Sequence, residues 1–176
     1  NWDVLSGSVD LCGPAYYSTH HMPSWVGLYV DLDGGTTSGG VLSTKTEFIL
    51  SPGTYQLKFD LSGSRSIYNS SDLLTVSLGS VYIENLTIPV DAPLMTFVRY
   101  IDVTSTTSAK LIFDHSTGDD HIGPLLDNVK LTKIDPTLLC DFAPADCDVD
   151  GSDLAILIAN TSLTDLGTFA QNFGKN

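Results

Sequence analysis

Apolar and polar side chains alternate with a period of two through roughly the first three quarters of the chain. The cleanest stretch is Tyr55-Gln56-Leu57-Lys58-Phe59-Asp60-Leu61. It predicts a strand with Tyr55, Leu57, Phe59 and Leu61 facing a core and Gln56, Lys58 and Asp60 facing outward. Segments 26–32, 41–50, 73–78, 81–88, 95–103, 109–113 and 125–134 read as further strands. Turn-forming groups separate them: Asp33-Gly34-Gly35, Ser51-Pro52-Gly53, Leu78-Gly79-Ser80, Asp91-Ala92-Pro93 and Ser116-Thr117-Gly118. About nine short strands at this spacing predict an all-β, jelly-roll β-sandwich over residues 1–134. Trp2 is expected to pack under the first strand.

Asp135-Pro136 ends that pattern, and residues 135–176 form a separate appendage. Here the period becomes helical. Leu154, Leu157 and Ile158 share one face of a first helix, and Leu166, Phe169, Ala170 and Phe173 share one face of a second. Ser152 and Thr164 suit the helix starts, and Gly174 suits the second stop. Helices this short need another surface to pack on. Just before them, acidic side chains recur at Asp141, Asp146, Asp148, Asp150 and Asp153, with Gly151 available for a sharp bend. Alternate residues of a tight loop turn their oxygens inward, so this run predicts a calcium site. Cys140 and Cys147 bracket part of the same run and are placed to close a disulfide, which leaves Cys12 free or paired between chains; three buried thiols are the alternative.

Charge narrows the partners. Of 176 residues, 21 are acidic and 8 basic, a formal net charge of −13. Such a surface repels phosphate backbones, so neither nucleic acid nor an anionic membrane is an expected partner. No apolar run approaches the ~18 residues a membrane span requires, so no membrane insertion is expected. The chain opens Asn1-Trp2-Asp3 without Met or a basic stretch, which reads as a processed product. Three glycosylation-acceptor triplets begin at Asn69, Asn85 and Asn160. These features point to an extracellular or cell-surface location.

Chemistry-bearing constellations are sparse. Neither a Gly-x-Ser-x-Gly nor a His-Glu-x-x-His pattern occurs, and no phosphate-cradling Gly-rich loop is present. Asp114-His115 and Asp119-Asp120-His121 fall on one loop, where they read as metal ligands, acid/base machinery or a solvated acidic loop. The chain is therefore read as non-catalytic. Tyr16, Tyr17 and Trp25 flank His20-His21 and form either a glycan-stacking platform or ordinary core and rim aromatics.

Two resemblances rest on these residues. The segments Trp2–Asp10, Tyr29–Gly34, Ser51–Gly63 and Gly123–Val129 together resemble the secreted galactose-binding-like β-sandwich domains of plant cell-wall proteins and bacterial choice-of-anchor surface proteins. That resemblance implies a galactose-binding-like jelly roll in which Asp127 ligates a structural calcium at the strand ends; an Asp capping a turn is the other reading. Members usually carry a further strand before the Trp, and its lack here would leave an open pairing edge. Residues 140–174 resemble a degenerate dockerin-like calcium repeat, with a second loop reduced to Asn160, Ser162 and Asp165. Together they imply a calcium-stabilised, non-catalytic structural or adhesive module that assembles with other copies of itself or docks to a scaffold protein. The alternative is a carbohydrate-binding module that tethers an enzyme or a cell to polysaccharide.

Overall fold

The computed structural model describes residues 1–13, 27–36, 38–63, 71–117 and 123–134. Among these the chain is all-β. It forms β1 (Trp2–Ser6), β2 (Asp10–Cys12), β3 (Tyr29–Asp31), β4 (Val41–Thr44), β5 (Phe48–Leu50) and β6 (Gly53–Ser62). The second half adds β7 (Ser71–Leu78), β8 (Tyr82–Pro89), β9 (Met95–Val103), β10 (Thr107–Ala109), β11 (Leu111–Asp114) and β12 (Leu125–Lys133). Two five-stranded sheets, in the orders β1-β4-β11-β7-β8 and β2-β3-β12-β6-β9, pack as a jelly-roll sandwich, and β5 with β10 makes a small ribbon. The strand pairs are antiparallel throughout.

Alternation explains the layers. In β6, Tyr55, Leu57, Phe59 and Leu61 are buried while Lys58 is exposed. Opposite them, β7 contributes Leu74, Val76 and Leu78, and β11 contributes Leu111 and Phe113. Each such side chain contributes about 1.5–3 kcal/mol by leaving water. Aromatic rings run across the interior: Trp2 lies 6.1 Å from Phe113, Phe113 meets Phe59 edge-on at 5.4 Å, and Phe59 stacks on Phe97 at 5.3 Å. Trp2 therefore joins the core from β1, the edge strand beside β4.

The segment read as one strand over 41–50 is two, β4 and β5, and 109–113 is divided between β10 and β11. Between β4 and β5, Lys45 and Thr46 form a bend, and Lys45 is held 3.6 Å from Asp3 on β1. The β7–β8 hairpin turns at Gly79, whose φ of 52° suits a residue without Cβ.

At the far edges of the two sheets, β8 and β9 face each other through a polar clasp. The Arg99 Nε donates to Glu84 Oε2 at 2.8 Å and its Nη2 donates to Oε1 at 2.7 Å. The Tyr82 hydroxyl also donates to Glu84 Oε2. The Arg99 guanidinium sits 5.5 Å above the Phe97 ring, so the charge caps the aromatic file instead of being stranded beside it. Hydrogen bonding from Arg99 holds the Glu84 carboxyl below its usual range, and the same contact raises Arg99. Burial pushes the Tyr82 phenol up, reinforced by its bond to Glu84.

The predicted appendage, with Asp141, Asp146, Asp148, Asp150, Asp153, Cys140 and Cys147, lies outside the described residues.

Candidate functional site

The outer face of the second sheet presents a ladder of polar and aromatic side chains across β12, β6 and β9. In an antiparallel sheet, directly opposed residues share a face. Register therefore places Thr132, Gln56 and Tyr100 in one row, Lys130, Lys58 and Val98 in the next, and Asp127, Asp60 and Thr96 in the third. Tyr100 is 56 % exposed, and its hydroxyl accepts from the Gln56 amide at 3.1 Å. That contact helps fix the ring while leaving most of its surface open.

A bulge shapes the third row. On β12 the pairing shifts between Asp127 and Lys130, and Asn128 takes a φ of 51°. Asn is among the side chains that tolerate this left-handed conformation. The extra residue turns Lys130 to the outer face, directly opposite Lys58. Asp60 lies at the base of the row, only 8 % exposed. Its carboxylate accepts from Thr96 Oγ1 at 2.6 Å and from Asn128 Nδ2 at 2.8 Å. Lys58, Asp60, Asn128, Val129 and Lys130 line a depression of about 410 Å³. That volume is within the range of small-molecule sites, roughly 300–1,000 Å³.

Asp127 borders this depression. Its Oδ1 accepts the backbone N–H of Asn128 at 2.7 Å, so the carboxylate caps the bulge. Among the described residues, no group of three or more His, Cys, Asp or Glu side chains is gathered as a metal site would need. The Asn128 contact is of the kind that the turn-capping reading of Asp127 expects.

Other predicted positions separate. Asp114 accepts from the Ser116 N–H at 2.9 Å and caps a turn. His115 is buried, not part of a solvated acidic loop as expected. A carbonyl can only accept, so its Nδ1 donates to Leu73 O at 2.8 Å, and Nε2 lies 3.8 Å from Asp72 Oδ1. Cys12 is a free, buried thiol, and burial pushes its pKa up to about 11, aided by the nearby Asp31 and Asp10 carboxylates. Tyr16, Tyr17, Trp25, His20, His21, Asp119, Asp120 and His121 lie outside the described residues.

On β3, next to the ladder, Asp31 is buried and its pKa is raised to about 7. Desolvation is the main cause, opposed by the N–H groups of Asp33 and Gly123 that donate to its Oδ1 at 3.0 and 2.9 Å. The second bond ties the chain entering β12 to the end of β3. Gly is required there, because a Cβ at 123 would lie 2.7 Å from the Asp33 nitrogen.

No protein-family model matches the sequence, and no curated protein matches it either. The fold is similar to that of the CBM22-2 xylan-binding domain of Xyn10C from Paenibacillus barcinonensis. The TM-score is 0.50 at 11 % identity, over 76 % of this chain and 92 % of that one. It is similar also to the enzymatically active domain of tailspike protein 4 from bacteriophage CBA120, with a TM-score of 0.50 at 15 % identity, over 76 % of this chain and 19 % of that one. A family 35 carbohydrate-binding module from Clostridium thermocellum aligns with a TM-score of 0.48 at 11 % identity, over 74 % and 91 % of the two chains. Likeness at this level is likeness of fold. The chain is a jelly-roll β-sandwich, and because one neighbour is described as xylan-binding and another as enzymatically active, the fold alone does not separate binding from catalysis.

Sequence reasoning identified Lys58 as outward-facing but assigned no role to Tyr100, Asn128 or Lys130. The alternation in 95–103 carried the signal for Tyr100. The arginine at 99 hid it, because a charged residue on the inner face blurs which side is which.

Proposed function

We propose that this chain is a non-catalytic polysaccharide-binding module that holds its glycan along the outer face of the second sheet. The observation that carries the reading is Tyr100, an exposed aromatic held by Gln56 in the row beside the 410 Å³ depression. Sugar rings present apolar C–H faces and polar rims. An aromatic face takes the former, and Lys58, Asp60, Asn128 and Lys130 are hydrogen-bonding partners for the latter. The fold likeness to a domain described as xylan-binding adds support for this class of ligand.

Affinity electrophoresis through gels containing single polysaccharides, followed by calorimetry on those that retard the protein, tests it. Tyr100→Ala is expected to abolish retardation with the far-ultraviolet circular dichroism unchanged. Retardation that survives Tyr100→Ala, or the absence of retardation by every polysaccharide tried, overturns the proposal.

Calcium-controlled assembly through residues 140–174, by docking or by exchange between copies, is a separate proposal about the appendage. An unchanged melting curve in excess chelator would remove its metal component.

A further inference from the structure

We infer that the glycan is acidic, and that an anionic substituent on the sugar ring sits between Lys58 and Lys130. This deepens the binding-module reading and rests on it. The two lysines oppose each other directly across β6 and β12 on the outer face, both exposed. Like charges placed directly opposite destabilise a sheet, so the arrangement costs stability in the empty protein. It also runs against composition, since the whole chain has 8 basic residues against 21 acidic ones.

Of the other Lys and Arg side chains in the described residues, three are engaged, and Lys110, between β10 and β11, is in no ion pair within 4.0 Å with a described residue. Lys45 pairs with Asp3, Arg99 with Glu84, and Lys133 donates to Ser51 Oγ and lies over the Tyr55 ring. Lys58 and Lys130 are in no ion pair within 4.0 Å with a described residue. The acids nearest in register, Asp60 and Asp127, already accept hydrogen bonds from Thr96, Asn128 Nδ2 and the Asn128 backbone. The depression thus offers two ammonium groups with unfilled donor capacity, beside the aromatic face of Tyr100 one row away. A carboxylate or sulfate ester on a sugar would meet that charge while the ring lies toward Tyr100.

The net charge of −13 does not prevent this. At physiological ionic strength charges are screened beyond about 8 Å, so an anion in the depression feels the two lysines, Asp60 and Asp127 far more than the remaining acids. Of those two acids, Asp60 is nearly buried and doubly hydrogen-bonded.

The test uses calorimetry on the full chain with four polymers: polygalacturonate, its fully methyl-esterified form, a sulfated galactan and neutral xylan. Binding to polygalacturonate or the sulfated galactan is expected to exceed binding to the ester and the xylan, and to weaken with added salt. The preference between these two polymers assigns the anion as carboxylate or sulfate. Lys58→Gln and Lys130→Gln are each expected to weaken acidic binding about tenfold and to flatten its salt dependence, as loss of a charge-assisted contact would. Equal affinity for ester and acid, or acidic binding insensitive to both substitutions, overturns this inference. If Tyr100→Ala still abolishes xylan binding in that case, the module reading stands without it. Failure of all four polymers to bind removes both.

Discussion

The Glu84–Arg99 clasp joins the two sheets at the β8 and β9 edges, and its contribution can be separated from the core by a double-mutant cycle. Arg99→Met keeps the aliphatic contact with Phe97 and removes the charge; Glu84→Gln keeps an acceptor for Tyr82 and removes the other. The side chains are 33 % and 26 % exposed, so the pair lies between two regimes. Exposed pairs contribute about 0.2–1 kcal/mol, whereas breaking a buried pair costs about 3–5 kcal/mol. The bidentate geometry at 2.7 and 2.8 Å lifts the pair above the exposed range and into the interval left between the two. Each single substitution is expected to cost about 1–3 kcal/mol, with a coupling energy of about 1–2 kcal/mol, in urea unfolding at pH 7. The pH dependence has a fixed sign. Glu84 titrates lower when folded than when unfolded, so its contribution is full above the unfolded value of about 4.3 and disappears as pH falls through the folded one. The gap between wild type and Glu84→Gln should close in acid. Additive single costs, with coupling under about 0.3 kcal/mol, would refute the view that these groups act as one unit.

Asp31→Asn keeps an oxygen at Oδ1 for both N–H donors and removes a buried charge. The folded pKa of about 7 lies above the unfolded one, so the penalty is absent below pH ~4, grows between, and is complete above 7. The variant should be more stable by up to about 4 kcal/mol at pH 8 and no more stable at pH 3 in thermal melts; a loss of stability at pH 8 would contradict the reasoning. Lys58→Thr should raise stability by about 0.2–1 kcal/mol by relieving repulsion with Lys130, while weakening acidic-glycan binding; a drop in both would point to a structural role for Lys58. Cys12 should resist a disulfide reagent at pH 8 until the protein unfolds, and rapid stoichiometric labelling of the native protein at that residue would contradict its burial. Gly123→Ala should destabilise by about 1–3 kcal/mol, because the new methyl meets the Asp33 backbone; an unchanged urea midpoint would show that the contact relaxes freely.

The sandwich was readable wherever one face of a strand is uniformly apolar. Leu57, Phe59 and Leu61 announce β6, and the turn residues mark off eight segments, to which the splits at 41–50 and 109–113 and the opening strands β1 and β2 add four. Strands of three residues, such as β2, β3, β5 and β10, are too short to show a period. The ladder was not readable, because it is assembled from β12, β6 and β9, which are neighbours only in the sheet. Asn128 and Asp60, bonded through the amide, stand 68 residues apart. Strict alternation from the buried Leu126 would also have sent Lys130 inward. Only the bulge, invisible in the residue pattern, reverses that direction.

That reversal has an evolutionary corollary. Asp127 and Lys130 stand three positions apart on β12, whereas their partners Asp60 and Lys58 stand two apart on β6. Loss of the Asn128 codon would leave Asp127 and Lys130 two positions apart, as regular alternation requires, so Lys130 would still face outward and Leu131 inward; what would go is the Asn128 amide that donates to Asp60. Descendants of this gene could therefore shed the bulge and keep both lysines on the outer face, at the cost of one hydrogen-bond donor to Asp60.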